Sequence, residues 1–212
     1  MVNNKVPKIN KKLDICIICE GSEEFEYLSK LKKLGIFNNK KYAITLCNAK
    51  GITNIMNVYP NKFQSDNYCV VLIFCDTDDH PFVQYKQLKT KLKEFHGKNK
   101  FVDLPEIIYF GNPCTMQIIL SHFDNVKLKT RTKSKNAKLI KTLTGVEDYQ
   151  ATENQIKSIM KKLTVDNFNE MLLRLNNLSN TDNSVPSSNF YNMIDKLTND
   201  SDKWITAFNN KL

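Results

Sequence analysis

No apolar run in this 212-residue chain approaches the roughly 18 residues that a bilayer-spanning helix requires, so no membrane span and no membrane partner are expected. The basic opening stretch, MVNNKVPKINKKLD, is not followed by a long apolar segment with a small-residue cleavage site, which points to a cytoplasmic protein. Glycine and proline are scarce, six of each, against 41% hydrophobic and 25% charged residues. That is the balance of an ordinary globular chain with a sizeable core, not of a low-complexity one. Arginine is nearly missing: Arg131 and Arg174 are the exceptions among 31 basic residues. The net charge is still +9, which favours a polyanionic partner, with a membrane surface second. Lysine- and asparagine-rich usage is also what an AT-rich genome produces, so charge alone does not assign a function.

Six cysteines are present, and Cys16 and Cys19 have C-x-x-C spacing. They sit inside LDICIIC, a strand-like stretch in which residues three apart point to opposite faces. Both thiolates therefore could not meet one zinc ion, and they read as small buried hydrophobes. Disulfides are not expected in a cytosolic chain.

The first half alternates strand and helix patterns. LDICIIC, YAITLCN, YCVVLIFC and EIIYFGN read as strands. EGSEEFEYLSKLKKLGIF, GITNIMNVYPNKF, FVQYKQLKTKLKEF and CTMQIILSHF read as helical stretches between and after them. Ser22 is a candidate N-cap, Glu23 and Glu24 suit the positive end of the helix dipole, and Gly35 can stop the helix. Such alternation indicates an α/β fold with a mainly parallel sheet flanked by helices. After about residue 124 the strand signals fade. Thr152 and Gln155 form a capping-box pattern, and FNEMLLRL and FYNMIDKL read as helices around a polar loop, Asn176–Asn189. The expectation is an α/β domain over 1–124 and a helical extension over 125–212.

Carboxylates gather where two of the apolar strands end. Glu20 follows the first, and Asp76, Asp78 and Asp79 follow the third. In an open parallel sheet both ends lie on the side where ligands bind. Carboxylates packed together are repulsive without a counter-charge. Three hard oxygen ligands near one point suit Mg²⁺ or Mn²⁺, which can bridge a phosphate and generate a nucleophile. Gly21 would let backbone approach that centre. The competing reading is that acids after strands are common, and that Asp78 or Asp79 caps a helix beginning near Pro81.

E-G after the first strand and D-x-D after the third resembles a TOPRIM domain. GNPCTMQIILSHF (111–123) is similar to the N-P-C-F-E-x-W-x-x-x-H-F segment of RloB-like proteins, with Asn112, Pro113, Cys114, His122 and Phe123 in register. VPSSNFYNMIDKL (185–197) is similar to that family's closing P-S-T-N-x-x-x-L-V-x-x-L helix. The resemblance spans about Leu13 to Leu197. It implies a TOPRIM-like, Rossmannoid sheet and a small bacterial phage-defence protein that cleaves DNA or RNA with Mg²⁺ or Mn²⁺. Glu20, Asp76 and Asp78 would be metal ligands and catalytic groups, with Glu24 and Asp79 as secondary candidates. The family's glutamate after N-P-C-F is Met116 here, and its tryptophan is Ile118. That departure leaves a second reading open: a catalytically degraded binding subunit that recognises nucleic acid, a defence-system partner protein or a second copy of itself. A phosphoryl-transfer receiver ranks last, because receivers pair their acids after strand one and keep a single one after strand three.

KLKTRTKSKNAKLIK (127–141) holds no acid. Its Lys127, Lys129, Arg131, Lys133 and Lys135, with Lys50 near the sheet edge, are candidates for sequence-blind phosphate contacts. His80 could touch a phosphate or shuttle a proton, or be solvated. His122 could face the cleft or pack beneath it. His96 reads as part of a basic loop. Trp204 and Phe208, four apart, read as a helix docking stripe.

Overall fold

The computed structural model describes residues 12–65, 67–79, 81–98 and 103–212. Leu13–Cys19 forms β1, Tyr42–Asn48 β2, Val70–Asp76 β3 and Ile108–Asn112 β4, all parallel, in the order 2-1-3-4. β1 and β3 are central, and Ile15–Cys19 and Val70–Cys75 are buried on both faces, which is why they read as unbroken grease. Cys16 and Cys19 belong to that core as free thiols, and burial pushes the Cys16 thiol up to about 12.

The helices between these strands form α1 (Ser22–Lys33), α2 (Ile55–Phe63) and α3 (Val83–Phe95). α1 buries Glu24, Tyr27, Leu28 and Leu31, and Gly35 ends it in a left-handed conformation at φ 73°. Ser22 is not the cap. The helix starts at Ser22, and the Glu24 carboxylate accepts the preceding Gly21 N–H at 2.9 Å. His96, just after α3, is not simply part of a solvated loop. It packs among Tyr59, Phe63 and Phe95, with the Tyr59 hydroxyl 3.0 Å from its Nε2.

The second half is helical: α4 (Met116–Leu120), α5 (Lys133–Thr144), α6 (Glu153–Lys161), α7 (Val165–Asn176), α8 (Phe190–Thr198) and α9 (Lys203–Asn209). The Thr152 hydroxyl caps α6 as its pattern predicts. Trp204 and Phe208 dock α9, and Trp204 Nε1 donates to the Tyr42 hydroxyl at 3.1 Å. α5 has no counterpart among the expected helices. Its buried face is only Asn136, Ile140 and Thr144, too weak a stripe to stand out of a lysine run.

The second half also completes the sheet, across the boundary expected near residue 124. Ser187–Ser188 forms β5, antiparallel to β4. Asn189 then acts as a clasp on the β4 edge: its Oδ1 accepts the Phe110 N–H at 2.8 Å, and its Nδ2 donates to the Ile108 carbonyl at 2.9 Å. The Ser188 hydroxyl donates to the Phe110 carbonyl at 2.7 Å. The P-S-S-N stretch thus satisfies backbone groups that an open edge would leave unpaired. Among the described residues, one apolar cluster runs from β1 to α9, and no helix is long and apolar enough to cross a membrane.

Candidate functional site

The register of β1 on β3 sets Cys19 opposite Phe74, so the residues that follow meet at the carboxyl edge. The Glu20 N–H donates to the Phe74 carbonyl at 2.9 Å, and the Asp76 N–H donates to Glu20 Oε2 at 2.9 Å. Asp76 Oδ1 accepts both the N–H and the hydroxyl of Thr115, at 2.5 and 2.7 Å. Thr115 lies three residues after the end of β4, just past the cis Asn112–Pro113 bond. Gly111, paired with Asp76 in the sheet, lies under that stretch. A Cβ on it would stand 2.7 Å from the Cys114 carbonyl oxygen. This is the position where glycine is sterically required. Gly21 is extended at φ −141°, with room for a side chain.

The first turn of α1 adds Glu24 and Glu23, and the Tyr149 hydroxyl donates to Glu23 Oε2. Four carboxylates thus crowd one spot. Burial, reinforced by the Glu24 charge, pushes Glu20 up to about 8 and Glu23 up to about 7. Burial also raises Glu24, and burial with the charges of Glu24 and Glu20 raises Asp76 well above the usual carboxylate range.

Asp78 and Asp79 behave differently. β3 stops at Asp76, and Asp78 adopts a left-handed conformation at φ 65°. Asp78 pairs with the Arg131 guanidinium. Asp79 accepts the Arg131 N–H at 2.8 Å and the Thr130 hydroxyl at 2.9 Å. Neither caps α3, whose N-cap is Phe82. The two acids instead tie down the segment leading into α5.

That segment, α5 and α6 line a cavity beside the acids. This cavity of about 610 Å³ is lined by Glu20, Glu23, Glu24, Asp76, Met116, Arg131, Lys133, Asn136, Ile140, Tyr149 and Ile156, among others. Met116 thus lines the cavity beside the acids. Lys127, Lys129, Arg131, Lys133 and Lys135 are exposed. Gln117 clamps their backbone, donating to the Val126 carbonyl and accepting the Leu128 N–H, both at 2.8 Å. Val126 and Leu128 turn inward, so Lys127 and Lys129 turn outward. Lys50 is exposed beside Gly51, whose N–H donates to the Glu20 carbonyl at 2.7 Å.

Two further candidates serve the frame. Asn112 is buried and donates through Nδ2 to the Ser184 carbonyl at 2.8 Å. His122 is also buried and packs beneath the cleft. Asn167 Oδ1 also accepts the Thr164 N–H, so His122 Nδ1 is the donor to it and Nε2 accepts from the Tyr27 hydroxyl. Burial pushes the ring down to about 4, and it is neutral at physiological pH. His80 lies outside the described residues. The partners that sequence reasoning missed are Thr115 and Tyr149. Glu23 reads in sequence as a helix-dipole residue, and its adjacency to Glu24 on the first turn after E-G is the signal that it belongs to the acid cluster.

Among the described residues, no three His, Cys, Asp or Glu side chains form a ready-made metal cage. The donor set nevertheless fits a hard divalent cation. Mg²⁺ is commonly held by one or two carboxylates, completed by waters and substrate phosphates. Glu20 Oε1 and Asp76 Oδ2 accept no hydrogen bond from a described residue, and each carboxylate's other oxygen is anchored. No protein-family model matches this chain, and neither a curated protein nor a solved structure matches it.

Proposed function

We propose that this protein is a Mg²⁺- or Mn²⁺-dependent phosphodiesterase acting on DNA or RNA, of the TOPRIM type and akin to RloB-like proteins of cytoplasmic phage defence. One observation carries the reading: at two adjacent strand ends the Asp76 N–H donates to the Glu20 carboxylate, and both residues line one cavity with Glu24 and Glu23. Glu20 and Asp76 would hold the ion, which would polarise a phosphodiester and lower the pKa of a water. Thr115 and the Asp76 N–H fix the two carboxylates in place. Arg131 and Lys133 line the cavity where the non-bridging phosphate oxygens would lie, and the exposed lysines supply a track toward it. Tyr149 holds Glu23, and α5 and α6 supply part of the cavity wall.

The test is cleavage of single-stranded and duplex oligonucleotides in Mg²⁺ or Mn²⁺ by wild type, E20Q and D76N. Loss of cleavage in both folded variants supports the reading, and equal cutting by all three overturns it.

A second reading, a catalytically degraded binding subunit, is favoured by Met116, which lines the cavity in place of an acid. Calorimetric titration with Mn²⁺ separates the two, since a degraded site binds the ion poorly. M116E should raise turnover if the missing acid limits a working enzyme.

A further inference from the structure

We infer that the cavity beside the acids is a pocket for one unpaired nucleobase, so that the nucleic acid engaged here is single-stranded at the nucleotide held. The inference rests on the nucleic-acid reading above and narrows its substrate class. Lys133, Asn136 and Ile140 are three and four residues apart, so they share one face of α5, and all three line the cavity. Along that face the chemistry passes from cation to amide to hydrocarbon. The cationic end lies with Arg131 at a helix start that no side chain caps, the end that suits a phosphate. Met116, Ile156 and Tyr149 add apolar surface to the cavity lining. A nucleotide presents the same order of phosphate, sugar and base.

Asn136 supplies the independent observation. It is only 8% exposed. Its Nδ2 donates to the Thr130 carbonyl at 2.8 Å, which orients the amide and leaves Oδ1 as the unused atom. That oxygen accepts no hydrogen bond from a described residue, although the side chain lines the cavity. Every nucleobase carries an N–H donor on its Watson–Crick edge, and that donor is free only when the base is unpaired. A base in a duplex would have that edge occupied. At about 610 Å³ the cavity falls within the roughly 300–1,000 Å³ usual for small-ligand pockets.

The experiment compares adenosine 5′-monophosphate with ribose 5-phosphate by calorimetry, in Mg²⁺ and again in EDTA, since neither probe has a phosphodiester to cut. Base stacking and edge bonding should make the nucleotide at least roughly tenfold tighter. Asn136→Ala, with its melting temperature checked, should remove most of that difference and leave ribose 5-phosphate binding unchanged. A 12-mer carrying 2-aminopurine should change its fluorescence when bound as a single strand, but not when locked in a hairpin stem. Equal affinity for the two small probes, no measurable binding of either at millimolar concentration, or equal response of strand and hairpin each overturns the pocket. If the base preference holds while no condition supports cleavage, the pocket stands and the phosphodiesterase reading falls. If oligonucleotides are cut but the two probes bind alike, the reverse is true.

Discussion

Glu20 and Asp76, fifty-six residues apart in sequence, are joined by a single 2.9 Å hydrogen bond from the Asp76 backbone N–H to the Glu20 carboxylate. The bond presses two acids together at the ends of the two most buried strands. Held ionised, they repel; held protonated, they cannot serve a metal. Asp76→Asn should therefore have effects of opposite sign. It keeps an oxygen to accept from Thr115 and cannot ionise, so in alkaline solution, where Asp76 would ionise against Glu24 and Glu20, the metal-free variant should melt at a higher temperature. Cleavage should fall by at least about a hundredfold if Asp76 is one of the carboxylates that would hold the proposed ion. A melting temperature that drops while cleavage persists would show that Asp76 is an ordinary structural acid.

The pH dependence follows from the same crowding. The folded protein binds more protons than the unfolded chain wherever a carboxylate's folded pKa exceeds its ordinary value near 4.5. Glu20 at about 8 and Glu23 at about 7 therefore make the metal-free protein less stable as pH rises through that window. His122 acts in the other direction. Its folded pKa near 4, against 6.5 ordinarily, withdraws stability as pH falls below 6.5. Thermal melts in EDTA should show stability rising as pH falls from 8.5 to about 5, because below 6.5 His122 offsets only one of the two protons that Glu20 and Glu23 retain in the folded state. Mn²⁺ should stabilise more at pH 8 than at pH 6, since it competes with protons for the same oxygens. A metal-free melting temperature that climbs from pH 6.5 to 8.5 would contradict the coupled acids.

Much of this arrangement was legible before the fold was known, and the reason is local. β1 and β3 are apolar on both faces, so they announce a buried parallel sheet, and the acids that follow them must reach its carboxyl edge. What was not legible depends on contacts distant in sequence. Tyr149 reaches Glu23 across 126 residues, and nothing in the residues around Tyr149 marks it. Asp78 and Asp79 read as metal ligands or helix caps, and their use as ties to Thr130 and Arg131 follows only from where that segment packs. α5 was hidden because its buried stripe contains an asparagine, which lines the cavity, and a threonine, whose hydroxyl donates to the Ile140 carbonyl. Cys16 and Cys19 could be read correctly from strand alternation alone.

The exposed lysines should govern how binding responds to salt. Lys127, Lys129 and Lys135 stand on or beside the segment that Gln117 clamps, outside the cavity. Replacing all three with alanine should lower the slope of log affinity against log salt by about 2 on single strands, at roughly 0.7 per phosphate contact. Surface changes of this kind alter stability by less than about 0.5 kcal/mol each. Anisotropy titrations over a range of KCl concentrations would check this, and an unchanged slope would remove these lysines from the nucleic-acid path.

Gly111 offers a test of the frame that delivers Thr115 to Asp76. A Cβ there would sit 2.7 Å from the Cys114 carbonyl oxygen, 2.8 Å from its carbon and 2.9 Å from the Thr115 Cα. All three are backbone atoms, so no side chain can swing aside, and the turn itself must lift. Gly111→Ala should cost about 1–3 kcal/mol in urea unfolding, the range of an overpacked core. The displaced turn would also draw Thr115 away from the Asp76 oxygen that it holds at 2.5 and 2.7 Å. Mn²⁺ affinity should therefore weaken even in the fraction that remains folded, although Gly111 has no side chain to offer an ion. Gly21→Ala is the control, because its Cβ would meet only Glu24 Oε2, at 3.4 Å, and its backbone is already extended. If Gly21→Ala proved the more damaging of the two, the acids would be held from the α1 side and not from the turn after β4.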